Sequence, residues 1–351
     1  MMENAGAYVM LPRERDINPI EVIVDNDQPD ESTILYSQST YGESNGRHKW
    51  ENGEGEGFIY DLPDFRDTEN PFENGTYRQV KTVGDNNVST AIWAADIPES
   101  REYAIYVSYK SLPDSSEDAC YTVNYDGGSD EILVNQKLGG GTWIYLGTYP
   151  LAKGLDIERP VVTLTNHSAK GGNTVVTADA VKIGGGMGNI ARSPRRSDVF
   201  WNNTLPTAET DTVDTDDIQI EEDYEDVDGP LRQPESVNPF KKEAQANSTQ
   251  EPVFKTSGLP RWMEGARYWL HWAGIPDSIY APYGGTDDYK DDYTNRGLWV
   301  NYLAGGSRVL PNEKGLGIPI DAVVALHSDA GKRADDSFAV SYTHLTLPTI
   351  L

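Results

Sequence analysis

Between Tyr103 and Ile183 the chain repeats one device, a short run of alternating apolar and polar residues closed by a glycine turn. The runs are Tyr103–Tyr109, Cys120–Tyr125, Ile132–Asn135, Trp143–Leu146, Val161–Thr165 and Val175–Ile183. Asp126-Gly127-Gly128, Gly139-Gly140-Gly141 and Lys170-Gly171-Gly172-Asn173 separate several of them. A period of two puts successive side chains on opposite faces, so each run reads as a strand with one buried face. A further strand, Ile20–Asp27, opens the block. Strands at this spacing with no helical pattern between them predict a β-sandwich of jelly-roll type over 20–187.

Four segments carry a more specific likeness: Ala-Cys-Tyr-Thr-Val-Asn-Tyr at 119–125, Asn135-Gln136, Gly-Gly-Gly-Thr-Trp-Ile-Tyr-Leu-Gly at 139–147, and Ala-Asp-Ala-Val at 178–181. This string resembles the golvesin C-terminal-like domain, also called the xanthan-lyase carbohydrate-binding-like domain. The resemblance implies a module accessory to an enzyme that acts on a polysaccharide or on cell wall. Aromatic side chains suit either stacking on sugar rings or filling a sandwich core. Trp93, Tyr106 and Tyr145 leave both uses open, and Trp143, inside an alternating strand, reads as core. Trp50, set among charged residues and glycines, is the candidate for an exposed carbohydrate-binding platform.

Charge narrows the partners. The 351 residues carry a net charge of −27, which excludes nucleic acid, whose phosphates require a basic face. Eleven acidic residues and no lysine or arginine lie between Glu209 and Asp228. Such a run reads as part of a solvated, disordered linker over 188–256, and no Asp-x-Asp-x-Asp-Gly loop there points to calcium. The one cysteine, Cys120, allows no disulfide within the chain and reads as a small buried hydrophobe. No apolar run is long enough to span a membrane, and no leader is visible at Met1.

The last block has a different period. Met263, Ala266, Trp269, Leu270 and Ala273 recur at three- and four-residue steps after Pro260 and stop before Gly274 and Pro276, predicting an amphipathic helix. Tyr293–Leu303 predicts a second helix, closed by Gly305-Gly306. Ile318–Leu326 is a nearly continuous apolar run, expected as a strand buried on both faces of a mixed sheet. It ends at His327-Ser328-Asp329-Ala330, the place where open α/β sheets set their ligands.

Arg296, Asn301 and the run into His327-Ser328-Asp329-Ala330 resemble the zinc-dependent N-acetylmuramoyl-L-alanine amidases, in which a strand ends in His-x-Asn-Ala. Gly6-Ala7-Tyr8-Val9-Met10-Leu11-Pro12-Arg13 followed by Asp16 resembles an earlier strand of that family, with Pro12 in place of Thr; Asp329 replaces Asn. The resemblance implies a mixed architecture, an α/β amidase-like domain in two parts, 1–19 and 257–340, interrupted by the sandwich. It makes His327 a zinc ligand, with Arg13 and Asp329 as supporting side chains. Read from the residues alone, without the resemblance, His327 is a strand-end histidine satisfied by backbone and Asp329 a cap on the following turn.

The family's other ligands are expected before Met1 and its catalytic glutamate beyond Val340, so this piece is expected to hold no zinc and to be inert. Residues 341–351 resemble a translated sequencing adaptor and are set aside as a non-native tail. The parent is expected to be an extracytoplasmic zinc hydrolase acting on peptidoglycan or another cell-surface polysaccharide. The alternative is a non-enzymatic carbohydrate-binding or adhesion module on a degenerate scaffold.

Overall fold

The computed structural model describes residues 8–13, 20–27, 39–59, 70–192, 257, 259, 263–305, 314–325 and 344–346. Its main body is sheet. A four-stranded sheet runs in the order β1-β12-β6-β9, built from β1 (Val22–Val24), β6 (Arg101–Val107), β9 (Ile144–Leu151) and β12 (Val181–Ile183). A five-stranded sheet runs β2-β5-β10-β7-β8, from β2 (Thr40–Ser44), β5 (Thr90–Ala94), β7 (Ala119–Tyr125), β8 (Gly128–Val134) and β10 (Val162–Thr165). A third sheet, β11-β4-β3, joins β3 (Glu51–Asn52), β4 (Arg78–Lys81) and β11 (Val175–Ala178). Every ladder in these three sheets is antiparallel, although of the paired strands only β7 and β8 are joined by a short turn.

One apolar core joins the three. The four-stranded sheet contributes Val22, Ile105, Val107, Leu146 and Val181, and the five-stranded sheet Trp93, Tyr121, Val123, Val162 and Leu164. Val80, Val176 and Ala178 close it from the third sheet. The alternation therefore does what the sequence pattern required: on β10, Val162 and Leu164 are buried while Thr163 and Thr165 are half-buried. The β7–β8 hairpin turns on Asp126-Gly127, with Tyr125 opposite Gly128 and Gly127 at φ 100°. That conformation suits a residue without a Cβ.

Strand β6 is buried on both faces, and this reaches beyond a two-layer reading. Tyr103, Ile105 and Val107 point into the sandwich core, whereas Ala104 and Tyr106 point the other way. That second face is covered by helices. Here α1 (Ala266–Trp272), α2 (Asp277–Tyr280) and α3 (Asp288–Ala304) bring Trp269, Leu270, Tyr280, Trp299 and Leu303 against Phe58, Phe72, Tyr106, Trp143 and Met187. Trp143 is the joint. Its ring centroid lies 4.8 Å from that of Phe58 and 5.3 Å from that of Phe72, and its backbone N–H donates to the Ala273 carbonyl at 3.2 Å.

Both expected helices form, with shifted bounds. The first starts at Ala266, so Met263 lies outside it and is 47% exposed. The second starts at Asp288 because the Asp287 side chain caps it, accepting the Lys290 N–H at 3.1 Å. The expected buried strand over Ile318–Leu326 is corrected. Ile318 is buried in the helical layer, but among the described residues of the run only β13 (Val323–Ala325) is strand, and it pairs antiparallel with β14 (His344–Thr346). Val324 is 41% exposed, so β13 is not a strand buried on both faces. The continuous apolar run reflects a loop that tucks one isoleucine under the helices. Among the described residues the stretch Tyr8–Met10 contains no strand, and no ladder ties it to β13.

Candidate functional site

Strand β4 reads Arg78-Gln79-Val80-Lys81. Its alternation sends Val80 into the core and leaves Gln79 and Lys81 on the outer face. Glu51 on β3 stands opposite Gln79, and Val175 on β11 stands opposite Lys81. The segment leading into β3 adds His48 and Lys49. Together these side chains line a cleft of about 250 Å³.

The wall that carries His48 and Lys49 is held by its own backbone. The Gly46 N–H donates to Ser89 Oγ at 3.0 Å, the Arg47 N–H to the Asn87 carbonyl at 3.0 Å, and the Trp50 N–H to Asn45 Oδ1 at 3.0 Å. Ser89 Oγ in turn donates to the His48 carbonyl. A tethered loop presents polar groups with little entropy left to lose on binding.

The charges around the cleft are arranged unevenly. Arg78 forks onto Glu43, Nε to Oε1 at 2.6 Å and Nη2 to Oε2 at 3.0 Å, and Arg47 pairs with Asp85. Tyr41 donates to the same Glu43 at 2.8 Å. Burial first, then the neighbouring Glu43 charge, holds the Tyr41 hydroxyl far above its ordinary range. These neighbours are thus satisfied within the protein, whereas Lys49 and Lys81 are exposed and have no ion-pair partner among the described residues.

A second polar cluster is sealed inside. The carboxyl of Asp179 is buried and accepts from the Phe58 N–H and Ser108 Oγ, both at 3.0 Å. Its backbone carbonyl accepts from Trp93 Nε1 at 2.9 Å. Burial, then the nearby Asp25 charge, pushes the Asp179 carboxyl well above the carboxylate range. These contacts tie four separate stretches of chain together, a structural role.

Of the expected site residues, only Arg13 and Trp50 lie among those described. Trp50 is only 6% exposed and belongs to the sandwich core, which corrects its reading as an exposed platform. As an alternating neighbour of Lys49 and Glu51 it points inward while they line the cleft. Trp143 is core, as expected. Arg13 is half-buried, and His327 and Asp329 lie outside the described residues. The acidic run at 209–228 also lies outside them. Cys120 is half-buried on the outer face of its strand. No group of three or more histidine, cysteine, aspartate or glutamate side chains among the described residues is placed to hold a metal, so they offer no zinc ligand set. Exposed aromatic side chains do occur, but on the helical layer. Tyr289 is 79% and Tyr293 52% exposed, their rings edge to face at 5.4 Å.

The cleft residues stood out weakly because β2 to β5 are only two to five residues long. The signal was present in the alternation at 78–81, two polar residues flanking a buried valine.

The golvesin C-terminal domain family matches residues 66–185, which covers β4 to β12 and includes Gln79, Lys81 and Val175 of the cleft. No curated protein matches the chain. Among solved structures, a Paenibacillus xanthan lyase is similar at 20% identity and a TM-score of 0.34, over 50% of this chain and 13% of that one. An Arthrobacter globiformis isomalto-dextranase is similar at 17% identity and a TM-score of 0.24, over 41% of this chain and 23% of that one. An arabinose-bound α-L-arabinofuranosidase is similar at 13% identity and a TM-score of 0.26, over 50% of this chain and 26% of that one. The chain thus spans about a quarter or less of the length of each. No helix among the described residues is long and apolar enough to cross a membrane.

Proposed function

We propose that this chain is a carbohydrate-binding module of an extracytoplasmic protein that works on a polysaccharide, and that the cleft over β3, β4 and β11 contacts the glycan. The observation that carries this reading is that the golvesin C-terminal domain match, 66–185, contains β4 and β11, two of the three strands that build the cleft. The chemistry agrees. Sugar hydroxyls are recognised by fixed donors and acceptors on a shaped surface. Gln79 offers both, Glu51 accepts, and His48, Lys49 and Lys81 donate.

The zinc amidase reading has no support among the described residues and is not adopted as the activity. The motifs at Gly6–Arg13 and His327–Ala330 do make peptidoglycan the first glycan to try. The test is retention of the purified chain on immobilised polysaccharides, peptidoglycan sacculi among them, compared with a Gln79→Ala/Lys81→Ala variant. The reading expects saturable retention on at least one glycan and its loss in the variant. Equal retention of both proteins, or none on any glycan, overturns it.

A further inference from the structure

Only some bases near this cleft are neutralised. The chain has 56 acidic residues against 29 lysines and arginines, so each base has nearly two carboxylates available to it. The arginines beside the cleft use them, Arg78 on Glu43 and Arg47 on Asp85. So do Lys137 and Lys170, which share Glu117. Lys49 and Lys81 line the same cleft and form no ion pair with any described residue. Among the described residues of the lining, Glu51 is the one carboxylate. In a molecule of net charge −27 this leaves a locally cationic hollow on an anionic body.

Two ammonium groups facing one space favour a ligand that carries negative charge there. Gln79 and His48 between them can hydrogen-bond the flanking hydroxyls. From this geometry we infer that the cleft selects saccharides bearing a carboxylate, such as a uronic acid, with Lys49 and Lys81 as the pair that receives it. The inference rests on the carbohydrate-binding reading above and adds the charge class of the ligand. The net charge of −27 sharpens the selection, because it opposes non-specific association with an acidic glycan.

The test is calorimetric titration of the full chain with size-matched oligosaccharides, oligogalacturonate as the acidic probe and an oligomer of glucose as the neutral one. Binding of the acidic probe should weaken about tenfold in each of Lys49→Gln and Lys81→Gln, which keep a hydrogen-bonding side chain and lose the charge. It should weaken on adding sodium chloride and tighten in Glu51→Gln. Unchanged melting temperatures in these surface variants show that the fold is intact. If the neutral probe binds as well as the acidic one and both ignore the lysine variants, the charge inference fails while the carbohydrate reading stands. If acidic binding is unaffected by Lys49→Gln and Lys81→Gln, the lysines are not its receptors and the inference fails. If neither probe nor any immobilised glycan binds, the carbohydrate reading fails with it.

Discussion

The carboxyl of Asp179 accepts the backbone N–H of Phe58 at 3.0 Å, across 121 positions of sequence. The same oxygen accepts from Ser108 Oγ, and burial holds the group protonated well above the ordinary carboxylate range. A native-state pKa above the unfolded one means that folding takes up a proton once the pH exceeds the unfolded value, about 3.9. This group's contribution is therefore complete below that value and is lost progressively as the pH rises toward the raised one. Asp179→Asn removes that dependence. Denaturant unfolding across this range should show the wild type losing stability relative to the variant as the pH climbs; parallel curves would count against the buried proton. Asp179→Ala orphans the Phe58 N–H and should cost about 2–3 kcal/mol.

Gly274 ends α1 with φ 88°. A Cβ there would stand 2.6 Å from Phe72 Cδ2 and closer still to the Gly141 carbonyl, so alanine is opposed by both backbone and packing. Gly274→Ala should destabilise by about 2–3 kcal/mol. Gly55 is the control: its φ is 104°, but nothing lies within 4 Å of an added Cβ. Gly55→Ala should cost only the conformational part, about 1 kcal/mol. Equal losses in thermal unfolding of the two variants would show that the helix–sandwich contact at Gly274 is not as tight as described.

Trp143 carries the contact between the sandwich and the helical layer, with Phe58 and Phe72 on one side and Ala273 at its backbone. Trp143→Ala empties the centre of that second core and should cost about 3–5 kcal/mol. Trp143→Phe, which keeps an aromatic ring, should cost much less. Chemical denaturation of the two variants checks the order.

Glu117 shows what the lysines of this chain do when a carboxylate is in reach. Hydrogen bonds from Lys170 and then Lys137 hold its carboxyl down, at about 2. A depressed native pKa gives stability that is present above the unfolded value and lost as the pH falls through about 2. The pair is largely exposed, so its effect on unfolding should be small, and the direct measurement is the carboxyl's NMR titration. The midpoint should rise in Lys170→Met and in high salt. A midpoint in the ordinary carboxylate range in the wild type would contradict the ion pairs.

The sequence exposed the fold where one face of a strand is buried and the turn is short. The 119–134 hairpin and the strands at 162–165 and 181–183 follow from period-two alternation and Asp-Gly turn chemistry. It misled where burial comes from an unexpected direction. Trp50 stands among polar residues, yet the strand parity that exposes Lys49 and Glu51 turns it into the core. Ile318–Leu326 has the composition of a buried strand, but Ile318 is buried in the helical layer, Ile320 packs partly against it, and only Val323–Ala325 of the described part is strand. The cleft was hidden for a related reason. Its lysines differ from the neighbouring Arg47 and Arg78 by lacking an ion-pair partner, which depends on three-dimensional neighbours rather than on spacing.

The most direct test of the carbohydrate assignment is to map a bound acidic oligosaccharide on the isotope-labelled chain by NMR. Amide shifts at His48, Lys49, Gln79 and Lys81, saturating together and absent in Lys49→Gln/Lys81→Gln, are the result this account predicts. Shifts confined to the exposed Tyr289–Tyr293 pair of α3, with the β4 amides unmoved, would place the glycan on the helical layer and contradict it.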